Sequence, residues 1–270
     1  MDYSKVQVDQ EQLRKAQMCM VAILDEIDEV CIRHNLQYWL DGGSCLGAIR
    51  HKGFIPWDDD LDVAMMRSDF EKFIKYAPQE FSDKLFIQTK ETDKYYYRHI
   101  MRIRMNGTKV VGHDEFGDEQ YHQGVFVDVF IFDYWSKFSC KLSRLFSIMP
   151  EIRSRRKEYP RGSWKRIVHG LLTAVPYALH RGLELLFLLW LKSIRKNSQL
   201  PLIGGEQEIN TTAFYPKEIM LPPTRNFEFE GKHYALPANP DAYLTMEYGD
   251  YMVLPAPEDR RTHSKLIEID

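Results

Sequence analysis

The segment Val125 to Phe132 is almost wholly apolar, yet it carries Asp128 in its middle. A strand that is apolar on both faces is stable only when both faces are covered, so this segment is expected at the centre of a layered sheet. A carboxylate buried there is costly unless a cation or hydrogen-bond donor meets it. Whatever fold the chain adopts must therefore bring a compensating group to the middle of its sheet.

The elements around that strand are legible from periodicity. Leu13, Ala16, Met20, Ile23, Leu24, Ile27, Val30 and Cys31 recur at spacings of three and four and predict an amphipathic helix over 10–34, with Asp9 and Gln12 as a capping box. Leu36 to Leu40 reads as a short strand ending at Gly42-Gly43-Ser44, a turn into a helix. Asp60-Leu61-Asp62-Val63-Ala64-Met65 alternates, so Leu61, Val63 and Met65 face one side and both carboxylates the other. Ser68 and Glu71 predict a capping box for a helix that ends before Pro78. Tyr97 to Met105 alternates again, with Arg98, Arg102 and Arg104 on one face, and Asn106-Gly107 predicts a hairpin turn after it. A second hairpin is expected around Phe227 to Lys232.

Residues 136–200 are helical in pattern, interrupted by Pro150, Pro160 and Pro176, and their charge sets them apart. Between Lys137 and Lys196 fourteen Lys/Arg stand against Glu151, Glu158 and Glu184, a net of +11, which leaves −14 for the rest of a chain whose total is −3. No stretch there reaches the ~20 apolar residues that span a bilayer. Peripheral docking on an anionic surface, or packing as a lid, are the two expectations. Within the most basic stretch, Arg153 to Arg166, there are no clear interleaved stacking residues beyond Tyr159 and Trp164, so no nucleic-acid partner is expected. The four cysteines form no CxxC pair, which argues against structural zinc and a disulfide framework, and the polar N-terminus predicts no secretory signal. The expected location is the cytoplasm, with peripheral contact on the inner face of the cell membrane as the variant.

The chemistry lies in three pieces read together. An acidic pair alone is usually solvated, Gly-Gly-Ser alone is a common turn, and an interior aspartate is often bonded to backbone. In the order found here they place the backbone N–H groups of Gly42, Gly43 and Ser44, which suit phosphate, opposite the carboxylates of Asp60 and Asp62, which suit Mg²⁺. Asp128 supplies a third carboxylate to share the metal and to orient or deprotonate an attacking hydroxyl. Asp58 has the same parity and is a further candidate ligand, whereas Asp59 points the other way, as a cap or loop acid.

The run Leu40-Asp41-Gly42-Gly43-Ser44-Cys45-Leu46-Gly47, continuing through Lys52 and Trp57-Asp58-Asp59-Asp60-Leu61-Asp62-Val63, resembles the signature of the LicD family of bacterial phosphorylcholine transferases and fukutin-like proteins. The similarity continues in Arg102-Ile103-Arg104 before Thr108, in Gly124 to Phe130 ahead of Asp133, and in Tyr243, Tyr248-Gly249, Arg260 and His263. One departure is Ile131, where many relatives carry proline. The resemblance implies an α+β fold with a nucleotidyltransferase-like mixed sheet core flanked by helices. Residues 1–135 would form the catalytic core, 136–200 an inserted basic helical region, and 201–270 the part completing the catalytic domain.

It also implies Mg²⁺-dependent transfer of phosphocholine from CDP-choline to a sugar hydroxyl of a cell-surface glycan, such as a teichoic acid, capsule or lipopolysaccharide precursor, releasing CMP. One or two ions are expected, with Mn²⁺ as a substitute, held by Asp58, Asp60, Asp62 and Asp128. Gly42, Gly43, Ser44, Lys52, Arg102, Arg104, Thr108, Asp133, Tyr248, Arg260 and His263 are the expected substrate contacts, the arginines as phosphate clamps. The acceptor would be a glycan or lipid-linked oligosaccharide. Transfer of ribitol or glycerol phosphate is the alternative within this chemistry, and a non-catalytic nucleotide-binding module the alternative outside it. Choline is favoured by the rings Trp57, Tyr95, Tyr96, Tyr97, Trp135, Tyr248 and Tyr251, since a quaternary ammonium needs ring faces.

Overall fold

A computed structural model describes residues 9–155, 162–172, 177–205 and 213–269. The chain forms two compact units, one of residues 1–131 with 218–270, the other of 132–217.

The first unit opens with α1 (Gln10–Arg33), whose inward stripe Leu13, Ala16, Met20, Ile23, Leu24, Ile27, Val30 and Cys31 is fully buried, as its spacing requires. Its start differs from the expected capping box. Asp9 makes no side-chain cap, and Gln12 instead exchanges two hydrogen bonds with the backbone of Ile269 near the other end of the chain. After β1 (Trp39–Leu40) and α2 (Gly42–His51) come β2 (Asp62–Met66) and α3 (Arg67–Glu80). No side chain caps α3, which continues through Pro78. The proline lies in the last turn, where it removes one backbone bond, and the Phe81 N–H still closes on the Ala77 carbonyl.

Next follow β3 (Leu85–Gln88), β4 (Met101–Met105), β5 (Lys109–Gly112) and β6 (Phe126–Trp135). The sheet order is β1-β2-β6-β4-β3, so the strand that contains Asp128 is central, as its composition predicts. β1 pairs antiparallel with β2, and β4 antiparallel with both β3 and β6. Met101, Ile103, Val127 and Val129 are buried; α1 packs on β4 and α3 on β2. Alternation then leaves Asp128 and Arg102, which face each other across the β4/β6 register, on the opposite side of the sheet.

The expected hairpin at Asn106-Gly107 does not form. Both edges of β4 are already taken, and β5 pairs instead with β11 (Ser264–Glu268). The hairpin near Phe227 does form, from β9 (Thr224–Phe229) and β10 (Lys232–Leu236). Glu230 and Gly231 both take positive φ, 51° and 78°, the geometry of a type I′ turn. α8 (Pro240–Tyr248), capped by the Asn239 side chain on the Ala242 N–H, completes this unit together with β11.

In the second unit the last residues of β6 pair antiparallel with β7 (Leu202–Gly205), which pairs with β8 (Tyr215–Pro216). α4 (Lys137–Arg155) begins with reciprocal hydrogen bonds between Ser136 and Ser139 and runs through Pro150 without a break. α5 (Trp164–Leu172) and α6 (Tyr177–Ile194) follow, and the short α7 (Lys217–Met220) leads back to the first unit. Pro160 and Pro176 lie outside the described residues. Trp135, Cys140 and Phe187 form a small core with Phe146, Leu191 and Phe214. Among the described residues no helix is long and apolar enough to cross a membrane.

Candidate active site

The site is assembled around the first turn of α2. Gly42 adopts φ +49°, and a Cβ there would approach both the Asp62 Oδ2 and the Tyr248 hydroxyl at 3.6 Å. At Gly43 a Cβ would come within 3.1 Å of Asp58 Oδ2. The two glycines thus let the backbone pass close to two carboxylates. The Asp62 N–H donates to Ser44 Oγ at 2.9 Å and the Asp41 N–H to the Asp62 carbonyl at 3.0 Å, so the α2 turn and the start of β2 are locked together. One strand over, the Asp128 N–H donates to the Leu61 carbonyl at 2.9 Å, bringing Asp128 beside the Asp60 to Asp62 segment.

This geometry refines the phosphate cradle expected from Gly42-Gly43-Ser44. The Gly42 N–H is taken by the Tyr243 hydroxyl at 3.0 Å and the Ser44 N–H by the Asp41 carbonyl at 3.0 Å, which leaves the Gly43 N–H unused by these contacts. Ser44 acts by holding Asp62 in place.

The acids are crowded and shielded from water, and their affinities for protons follow. Burial, with the neighbouring charge of Asp60, pushes the Asp58 carboxyl up to about 9. Asp62 is raised well above the ordinary carboxylate range by burial and by the charges of Asp60 and Asp128. Asp60 is raised by burial too, against the pull of His263. His263 Nε2 lies 3.6 Å from Asp60 Oδ2. Asp58, Asp60 and His263 each offer a ligand atom, all within 4.8 Å of one another.

Asp128 is compensated differently. Arg102 reaches it with two hydrogen bonds, Nε to Oδ1 at 2.7 Å and NH2 to Oδ2 at 3.2 Å, and stacks 3.8 Å from the centre of the Phe126 ring. Both partners are buried. Burial works against the Arg102 charge, and the Asp128 carboxylate more than offsets it, so the guanidinium holds its proton more tightly than usual.

Several expected substrate contacts have structural commitments. Arg104, 1% exposed, donates to Gln88 Oε1 and to the Gly124 carbonyl at 2.6 Å, and its burial lowers its pKa to about 10. Thr108 joins the Met105 carbonyl to the Val125 N–H, each at 2.8 Å. Lys52 is the exposed left-handed residue that ends α2, and its carbonyl accepts from the Glu230 N–H. Arg260 lies 4.7 Å from the centre of the Trp57 ring and donates to the Pro255 carbonyl. Asp133 is buried in the second unit opposite Gly204, and Trp135 belongs to the core there.

Two contributors had no strong sequence signal. Asp41 accepts from Trp39 Nε1 and from the Tyr243 hydroxyl, and burial outweighs those bonds to raise it to about 6. Asp59, expected to be a cap or loop acid, accepts from the N–H groups of His263 and Ser264 at 2.6 and 2.7 Å. It fastens the C-terminal segment, and His263 with it, to the acidic loop.

Clustered carboxylates against a helix start, beside the neighbouring strands β2, β6 and β4 of a mixed sheet in an α+β unit, define a protein built to hold cationic or phosphate-bearing groups. Residues 35–152 match the family described as LicD/FKTN/FKRP, nucleotidyltransferase domain. The chain is 29% identical over 265 residues to the lipopolysaccharide cholinephosphotransferase LicD of Haemophilus influenzae, a match covering 93% of this chain and 95% of that protein. It is also 53% identical over 34 residues to the human ribitol 5-phosphate transferase FKRP, covering 13% of this chain and 7% of that one.

Proposed function

We propose that this protein is a phosphotransferase that moves phosphocholine from CDP-choline to a sugar hydroxyl of a cell-surface glycan precursor and releases CMP. The observation that carries the reading is the convergence of Asp58, Asp60, Asp62 and Asp128 beside the Gly42-Gly43 turn, three of them with raised proton affinity. Acids that repel one another are relieved by a divalent cation. Hard carboxylate oxygens suit Mg²⁺, and the nearby His263 nitrogen is compatible with Mn²⁺. Asp58, Asp60, Asp62 and Asp128 would hold the ion, which would supply charge neutralisation for the donor diphosphate and the departing CMP.

In the reaction the acceptor oxygen bonds to the phosphorus that bears choline, the bond from that phosphorus to the bridging oxygen breaks, and CMP leaves with the electron pair. The hydroxyl proton passes to a carboxylate of the cluster, with Asp128 as the candidate acceptor. Arg102 fixes the orientation of Asp128 by engaging both its oxygens. The Gly43 N–H is available to a phosphate oxygen. Tyr248 has its hydroxyl beside Gly42, and Trp57 is next in sequence to Asp58. They are the candidates to receive the trimethylammonium group.

Choline is preferred to an alditol phosphate because the long similarity is to a cholinephosphotransferase and the short one to a ribitol 5-phosphate transferase. Competition between CDP-choline and CDP-ribitol over one acceptor tests this. Preferential consumption of the choline donor is expected; preferential use of the ribitol donor would overturn the choline assignment and leave the acidic site untouched.

A further inference from the structure

Helix α6 is turned inside out. His180 and Glu184 are each 6% exposed and Phe187 is buried with them, while Leu179, Leu183, Leu186 and Leu189 stand 48 to 64% exposed. Helical spacing puts Leu179, Leu183, Leu186 and Trp190 on one stripe with Leu189 beside it. A helix that rests on its own protein and faces water shows the reverse arrangement. The two buried ring nitrogens of His180 find no hydrogen-bond partner among the described residues, so the inward placement is not explained by a polar network around that ring. α5 repeats the pattern: Trp164, Ile167 and Val168, at positions one, four and five of the helix, are all exposed, Trp164 by 69%.

An apolar surface of this extent marks contact with another apolar phase, and charge decides which. The stretch Lys137 to Lys196 that contains it carries net +11, and on α4 the exposed Lys137 and Lys141 alternate with the exposed Phe138 and Leu145. A second copy of the chain would bring two such positive regions together, whereas anionic lipid headgroups complement them.

We infer that the α5 and α6 face docks on an anionic bilayer surface. The leucines of α6 and Trp164 sink to the acyl boundary while the lysines stay at the phosphates, and α6 lies in the interface plane, since no described helix can cross. The inference is independent of which group the acidic site transfers.

Sedimentation of the whole chain with vesicles of equimolar phosphatidylcholine and phosphatidylglycerol tests it. Binding is expected at low salt, weaker with added salt and with phosphatidylcholine alone. The double variant Leu186→Glu, Leu189→Glu should bind at least about tenfold more weakly, since withdrawing even one leucine from lipid is worth about that much. Both positions are exposed, and an unchanged circular dichroism spectrum and melting temperature verify that the variant is folded. As an independent readout, vesicles should shift the tryptophan emission to the blue, and Trp164→Phe should shrink the shift. Absence of vesicle binding at low salt overturns the inference, as does equal binding by the folded variant. Self-association that the variant abolishes, in a protein that ignores vesicles, gives the face to a second copy instead.

Discussion

Asp62 and Asp128 carry the same functional group one strand apart, and their surroundings give them opposite energetic signs. Asp62 sits among like charges, while Asp128 neutralises a buried guanidinium. Asn at either position is expected to lower transfer by about 10²-fold or more, because each removes charge that acts on the reacting phosphate. Without metal, Asp62→Asn should raise the urea midpoint by relieving repulsion. Asp128→Asn should lower stability by about 3–5 kcal/mol by leaving Arg102 buried and unpaired. Urea unfolding of both variants in EDTA reads the two signs; a midpoint lowered as much by Asp62→Asn as by Asp128→Asn would refute the distinction.

The raised carboxylates also fix a pH dependence. Asp41 and Asp58 have folded values of about 6 and about 9 against an ordinary 3.8, so the folded chain retains protons that the unfolded chain has released. Their favourable contribution is complete below the unfolded value and is lost as pH rises through the folded ones. The metal-free protein should therefore become less stable as pH rises from about 4 to about 9, and the rise in melting temperature on adding Mg²⁺ should grow over the same window. A Mg²⁺ shift that is constant across it would show that the cluster does not hold the ion.

At the scale of elements, the site depends on clips between distant segments. Asp59 holds the N–H groups of His263 and Ser264, and β11 begins at Ser264. Asp59→Ala should cost about 1–3 kcal/mol, since two backbone donors, that of Ser264 buried, lose their acceptor. Hydrogen exchange should accelerate at 263–268, with the apparent KM for the donor rising as His263 loses its place. Unchanged exchange there would refute the clip. The tip of the β9/β10 hairpin works similarly at the other end of α2: Glu230 accepts from the Phe54 N–H and from Arg14, and its own N–H donates to the Lys52 carbonyl. Turn chemistry at Glu230-Gly231 was readable because it is local. Asn106-Gly107 is by sequence the stronger turn signal and makes no hairpin, because the neighbours of β4 were settled by strands distant in sequence.

At the scale of the whole molecule, the chain divides its charge: −14 lies outside the stretch Lys137 to Lys196 and +11 within it. The acidic cluster and the apolar, basic face reside in different units, which makes their contributions separable by experiment. Leu186→Glu should leave transfer to a water-soluble acceptor fragment unchanged and reduce transfer to an acceptor embedded in anionic vesicles several-fold, about the change expected from weaker surface partitioning. Equal loss with both acceptors would mean that the substitution damages the enzyme itself.

By itself the sequence determined whatever depends on neighbours along the chain: the buried stripe of α1, the central character of β6, the Gly-Gly-Ser start of α2, the type I′ hairpin and the acidic motif. Periodicity and turn stereochemistry act over a few residues, so they can be read before folding. The tertiary structure decided which partners those groups take. Arg102 meets Asp128 because β4 and β6 pair in one register, Arg104 meets Gln88 and Gly124, and Gln12 meets Ile269 from the far end of the chain. It also decided that the leucines of α6 face outward and its histidine and glutamate inward, which helical periodicity leaves open because a stripe has no inside until something packs on it.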